Sequence, residues 1–341
     1  MNPIPARKVG PTDVCVTEFG CGTAPLGDLF TVLSETAAQE TLQTAWDCGI
    51  RYYDTAPFYG HTKSEHRLGY FLRQQNREEF VISTKVGRVF EPAHDLGGFN
   101  PAFWSAPLPF QLHFDYSYDG IMRSWEDSLQ RLGLNSVDML LIHDLDFWFN
   151  QNEQRVNFWL SQLYTSGWRA LDELRSNGLI GAVGAGINET GMIPRFLDIV
   201  DVDFFLVALP YTLLDQEVLD SEFPLCQDRG VGVVVGAPFA SGILATGPVE
   251  GAKYSYAPAT PEIIEKTRRI QTICERHGVS LRAAALQFPL THPIVAAIIP
   301  GALEPGHVRS NVKEYQQSIP DDLWAELKTE QLIREDAPTS R

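Results

Sequence analysis

Along the chain, short runs of consecutive apolar residues alternate with longer stretches in which apolar positions recur every three or four residues. The short runs are 17–23 (TEFGCGT), 50–56 (IRYYDTA), 80–85 (FVISTK), 137–143 (VDMLLIH), 180–187 (IGAVGAGI), 203–210 (DFFLVALP), 231–237 (VGVVVGA) and 294–300 (IVAAIIP). Several are apolar at nearly every position, as in strands buried on both faces. The periodic stretches, 34–48, 64–76, 119–132, 166–177, 190–199, 214–229, 261–277 and 306–316, predict helices. Ser34 ahead of Ala37 and Ala38, and Thr260-Pro261-Glu262, read as helix starts. The helix at 119–132 is amphipathic, with Ile121, Trp125 and Leu129 inward. Eight strand–helix units without a repeat, a low-complexity tract or a linker predict one domain over 1–341, a (β/α)8 TIM barrel. A doubly wound open sheet is the alternative arrangement.

A barrel places its chemistry at the C-terminal ends of its strands. Two connections there are long, 87–118 after strand 3 and 144–165 after strand 4, and both read as substrate walls or lids. Both are aromatic: Phe90, Phe99, Phe103, Trp104, Phe110, Phe114 and Tyr116 in the first; Phe147, Trp148, Phe149, Phe158, Trp159 and Tyr164 in the second. Trp104 and Trp148 are candidate platforms for a sugar or pyridine face, and His113 a candidate substrate contact. Packing of the loops onto the barrel accounts for the same aromatics. His61, His66 and His94 read as surface or loop residues, and the tail beyond 318 as short and polar.

Composition removes several functions. The 341 residues carry a net charge of -16, which repels phosphate backbones and anionic lipid, so neither nucleic acid nor a membrane surface is an expected partner. No apolar run reaches the ~18 residues of a membrane span, and the first residues lack the apolar stretch of a secretory signal. Five scattered cysteines without a CxxC spacing predict buried free thiols in a reducing cytoplasm. Nothing in the pattern fixes an oligomeric state.

Where the apolar runs end, ionisable residues begin. Run 2 ends at Asp54, with Tyr59 five residues on; run 3 ends at Lys85 and run 4 at His143. A lone acid or lysine at a strand end is an ordinary solvated cap. Four such groups from successive strands predict coupled proton transfer. A free phenol titrates near 10, and a nearby ammonium is expected to lower that value by roughly 1–3 units. Tyr59 is then the general acid/base, Asp54 holds Lys85 charged, and His143 orients a substrate oxygen.

The motifs DTAPFYG (54–60), STKVG (83–87) and MLLIH (139–143) resemble the aldo-keto reductase family over nearly the whole chain, from TEFGCGTAPLG to IPGALEPGHVRSNV. The resemblance implies hydride transfer with a nicotinamide cofactor across the barrel mouth and a catalytic set of Asp54, Tyr59, Lys85 and His143. It implies cofactor contacts at Gly22, Thr23, Asp54, Asn188, Pro238, Phe239, Ser241, Gly242, Gly301, Glu304, His307 and Asn311. The chain departs from the family's usual pattern where Ile187 replaces a serine, Ala208 a glutamine and Gly236 a stacking aromatic. It also departs at the segment that binds a 2'-phosphate in NADP-dependent members. Gly301, Ala302 and His307 stand where Lys, Ser and Arg are usual, and Glu304 is acidic, so NAD is favoured over NADP; Arg309 could swing in to reverse that. FDYSYDGIMRSWEDSLQRLGL (114–134) and PYTLLDQ (210–216) resemble the subgroup of L-fucose (D-threo-aldose) 1-dehydrogenases and pyridoxal 4-dehydrogenases, to which plant L-galactose dehydrogenases are related. These oxidise cyclic hemiacetals to lactones. Open alternatives are a generic aldehyde or ketone reductase, a non-catalytic nicotinamide-binding regulatory subunit, and a metal-dependent barrel hydrolase. The last is disfavoured because IHDLD (142–146) carries no paired metal-ligand spacing.

Overall fold

The computed structural model describes residues 3–94 and 103–340, so Phe99 lies outside the described residues. Eight parallel strands, β1 (Cys21–Gly22), β2 (Tyr52–Asp54), β3 (Val81–Val86), β4 (Met139–His143), β5 (Ala182–Ile187), β6 (Phe204–Ala208), β7 (Gly232–Gly236) and β8 (Val295–Ile299), pair in chain order. Parallel bridges Phe19–Ile298 and Gly22–Gly301 join the last strand to the first. The sheet is thereby a closed (β/α)8 barrel rather than an open doubly wound sheet.

Strand alternation sorts the side chains into two cores. Tyr52, Met139, Leu141, Ala182, Phe204, Val234, Ala297 and Ile299 fill the interior. Tyr53, Ile82, Leu140, Val183, Phe205 and Val233 face outward against the helices. Helices begin where capping chemistry allows: Ser34, Ser117 and Thr260 accept from Ala37, Gly120 and Ile263 amides, as the sequence predicts for the first and third.

The expected first strand, 17–23, is shortened to two residues because the chain before it is spent on a hairpin, Ala6–Lys8 paired with Cys15–Thr17. Val9 and Val16 enter the interior core, and the Arg7 guanidinium donates to the Leu290 and Val295 carbonyls at 3.2 and 3.1 Å. This hairpin seals the barrel floor.

Both long connections carry more structure than a loop. Residues Arg88–Pro92 and Phe110–Phe114 form an antiparallel hairpin. After β4, Asp146 and Asn152 cap helices Phe147–Asn150 and Glu153–Gln162, and the second runs through a π turn at 163–167 into Trp168–Ser176. The helix expected at 214–229 is regular only from Glu222, after a turn at Glu217–Leu219. The tail is not merely polar: helix Asp321–Thr329 buries Leu323, Trp324 and Leu327. Cys21, Cys48, Cys226 and Cys274 are buried free thiols as expected, whereas Cys15 on the floor hairpin is exposed. Among the described residues no helix is long and apolar enough to cross a membrane.

Candidate active site

The period of two that builds the interior also builds the site. Tyr52 and Asp54 share the inward face of β2, Ser83 and Lys85 that of β3, and Met139, Leu141 and His143 that of β4. Asp54, Lys85 and His143 are therefore the last inward side chains before the mouth. The Lys85 ammonium donates to Asp54 Oδ2 at 2.7 Å, to the Thr55 carbonyl at 2.9 Å and to the Tyr59 hydroxyl at 3.1 Å. A second layer holds Asp54: Ser83 Oγ donates to its Oδ1 at 2.7 Å and stands 3.1 Å from the Tyr52 hydroxyl. Asp54 and Lys85 are each 1% exposed, so their charges are compensated by each other and not by water.

Tyr59 owes its position to backbone contact. Gly60 has a φ of 67°, and the Gly27 and Gly60 backbones touch: a Cβ on Gly27 would lie 2.5 Å from both the Gly60 nitrogen and the Tyr59 carbonyl carbon. The Tyr59 ring stands 5.9 Å from the His143 ring and 5.8 Å from Trp104.

The electrostatics correct one expectation. Burial, reinforced by the Asp54 and Asp144 carboxylates, pushes the Tyr59 phenol well above its usual value, with Arg88 pulling the other way. Desolvation of the phenolate outweighs the neighbouring cations, so Tyr59 keeps its proton. Burial, with Arg88 and Lys85 nearby, holds His143 well below 6.5 and therefore neutral. Its Nε2 lies 3.2 Å from Asp144 Oδ2, and its buried Nδ1 has no partner among the described residues.

Asp144, Asp146 and Arg88 are functional candidates that sequence reasoning passed over. Asp144 has a left-handed φ of 42°. Its Oδ2 accepts from Arg88 Nη2 and its Oδ1 from Asn188 Nδ2, both at 2.8 Å. Burial raises its carboxyl to about 6 against the pull of Arg88. Arg88, 1% exposed, is clamped between the Phe58 and Phe149 rings, its guanidinium carbon 4.1 and 4.0 Å from their centres. Its Nε and Nη1 have no partner among the described residues. Asp146 caps the next helix and accepts from the Asn188 amide nitrogen at 3.0 Å. The signal was the acid directly after His143, in a motif weighed only for metal. His61, expected near the surface, is buried with Nδ1 2.7 Å from the Phe110 carbonyl.

Above the ionisable set is a cavity of about 80 Å³ walled by Phe58, Phe103, Trp104, Trp148, Phe149 and Tyr256, with Tyr59, Lys85, His143, Asp144 and Asn188 at its polar end. It adjoins, at Tyr59, Leu206 and Ala208, a cleft of about 420 Å³ that reaches Gly22, Gly236, Pro238, Phe239, Ser241, Gly242, Gly301, His307 and Asn311. Trp104 and Trp148 thus line the cavity as expected. His113 does not; it pairs with Val89 within the hairpin. Thr23 is no cleft residue: it is fully buried, its hydroxyl donating to the Asp54 carbonyl at 2.8 Å. Glu304 stays outside the cleft, exposed, 3.5 Å from His307 Nε2. Arg309 turns away to Thr44 Oγ1.

The cleft's own cation is Arg282, unforeseen from sequence. Its Nη2 donates to Asn311 Oδ1 at 2.6 Å, its guanidinium lies 5.8 Å from the Phe239 ring centre, and its buried Nε has no partner among the described residues. Gly242, at a φ of 112°, leaves open space where a side chain would stand. A long cleft edged by glycines with an unsatisfied guanidinium nitrogen fits an extended ligand carrying phosphate.

Residues 18–330 match the aldo/keto reductase family. The chain is 43% identical over 336 residues to a pyridoxal 4-dehydrogenase of Microbacterium luteolum, covering 96% of this chain and 97% of the relative. It is 36% identical to a D-threo-aldose 1-dehydrogenase of a Pseudomonas species, covering 94% and 95%. A holo aldo-keto reductase from Bacillus halodurans has the same fold, with a TM-score of 0.72, 24% identity and 97% of each chain covered. The chain belongs to the aldo/keto reductase family and is an oxidoreductase.

Proposed function

We propose that this aldo/keto reductase is a nicotinamide-dependent dehydrogenase that oxidises a cyclic hemiacetal, an aldose of the L-fucose (D-threo) type or pyridoxal, to its lactone. The observation that carries the reading is the Asp54–Lys85–Tyr59 chain, which ends beside neutral His143 where the aromatic cavity meets the long cleft. The names of the two relatives support the substrate class. Gly22, Pro238, Phe239, Ser241, Gly242, Gly301, His307, Asn311 and Arg282 would hold the cofactor, whose nicotinamide ring supplies the hydride acceptor when bound. Tyr59 exchanges the proton of the substrate oxygen. Lys85 offsets the negative charge that develops on the phenol oxygen, and Asp54 keeps Lys85 aimed. His143 donates from Nε2 to the same substrate oxygen.

NAD is the favoured cofactor. Gly301 and Ala302 offer no side-chain cation, and Arg309 points to Thr44. A cytoplasmic setting belongs to the same reading, supported by four buried free thiols. A second reading, reduction of an aldehyde or ketone, draws on the proton that burial holds on Tyr59.

The test is to follow reduced-nicotinamide absorbance with NAD⁺ and NADP⁺ against L-fucose, D-arabinose, L-galactose and pyridoxal, with Tyr59→Phe as control. Turnover lost in the variant supports the lactone reading. Turnover of aldehydes alone, in the reducing direction, replaces it with the second.

A further inference from the structure

The cavity's polar end holds more than proton transfer needs. Asp144 lines it beside His143, its Oδ2 3.2 Å from the histidine Nε2. A neutral imidazole can offer a proton at Nε2 and a carboxylate oxygen can accept one, side by side on the same wall. That spacing suits two neighbouring oxygens of one molecule: the reacting oxygen, which accepts from His143, and a hydroxyl next to it, which donates to Asp144.

The carboxylate is built for this. A carboxylate accepts through about four lone-pair sites. Arg88 and Asn188 take one on each oxygen, which fixes the side chain and leaves acceptor sites free on a carboxylate that lines the cavity. The clamp behind it is costly. Arg88 is fully buried between two phenyl rings, and two of its guanidinium nitrogens lack acceptors among the described residues. Asp144 itself has a left-handed φ of 42°, a region aspartate enters more readily than most residues other than glycine. The clamp's consequence is an oriented carboxylate at the substrate wall.

We propose that Asp144 binds a hydroxyl the substrate carries beside its reacting oxygen, such as the C2 hydroxyl of an aldose or the ring hydroxyl of pyridoxal. The proposal rests on the cavity being the substrate site of the dehydrogenase proposed above, and it names the feature that site selects. A substrate without the hydroxyl leaves a buried carboxylate short of a donor, whereas an ether or methyl in its place cannot donate. Hydrogen bonds to charged groups set the expected discrimination at about 10–100-fold in kcat/KM.

The experiment compares matched pairs on the full chain: L-fucose against 2-deoxy-L-fucose and pyridoxal against its 3-deoxy analogue in oxidation, and glyceraldehyde against propanal in reduction. Wild-type protein is expected to prefer the hydroxylated member of each pair that it turns over. Asp144→Asn and Asp144→Ala are expected to shrink that preference to a few-fold. A wild-type ratio near one overturns the proposal without any variant. So do variants that lower both members equally, since a merely structural role leaves the ratio unchanged. Failure of the lactone reading is separate: the sugars and pyridoxal are then inert, and the glyceraldehyde–propanal pair decides the proposal.

Discussion

The two arcs of the barrel mouth are built from different materials. On the arc of β2, β3 and β4 the last inward residues are Asp54, Lys85 and His143, buried and tied to one another or to a second layer of side chains. On the arc of β6, β7, β8 and β1 the corresponding rim is Ala208, Gly236, Gly301 and Gly22, and the cleft above it is shaped mainly by backbone. A proton must be handed over at one atom, so its carriers have to be side chains whose desolvated charges fix one another in place. A long ligand needs room and donors over a distance, which small residues and a loop provide. Substitutions on the first arc should therefore act on chemistry and folding together, and those on the second on affinity.

The largest break comes at Tyr59→Phe, expected to cut kcat by about 10²–10⁴-fold while dinucleotide binding, followed by intrinsic fluorescence, is retained. Asp54→Asn leaves the Lys85 ammonium buried without its counter-charge. It should cost about 3–5 kcal/mol in urea unfolding, and a paired Asp54→Leu/Lys85→Met replacement should recover much of that stability but no activity. Because burial holds the Tyr59 phenol above its ordinary value, the phenolate fraction grows as pH rises. Oxidation should then accelerate roughly tenfold per pH unit between pH 7 and 9, while reduction, which uses the phenol, should not; rates in both directions over that range check this. Gly27→Ala forces apart the backbones that seat Tyr59, with an expected loss of about 1–3 kcal/mol and a lower kcat at unchanged dinucleotide affinity. On the second arc, Arg282→Ala should weaken dinucleotide binding by about tenfold in a fluorescence titration and leave the pH dependence of oxidation alone. An effect of Arg282→Ala on that pH dependence would erase the division between the arcs.

The strands and the four ionisable groups were legible because both depend on local order. An apolar run that stops at an acid, a lysine or a histidine marks a strand end whatever surrounds it. Arg88 and Asp144 were not legible, because their meaning lies in a contact across 56 residues of chain and Arg88 opens a hairpin that reads as loop. The floor hairpin escaped for another reason: its strands are three residues long, too short to show a period of two. Thr23 and His113 were misplaced because residues near a mouth can point into the wall, and sequence spacing does not say which way a loop residue turns. Tyr59 was placed correctly but its acidity was not, since the ammonium is visible in the sequence and the desolvation is not.

The hairpin that seals the floor turns the barrel into a cup. Whatever comes in through the rim must go out through it. The cavity and the cleft share Ala24, Leu29, Tyr59, Leu206, Ala208 and Tyr256, so one phenol faces both berths.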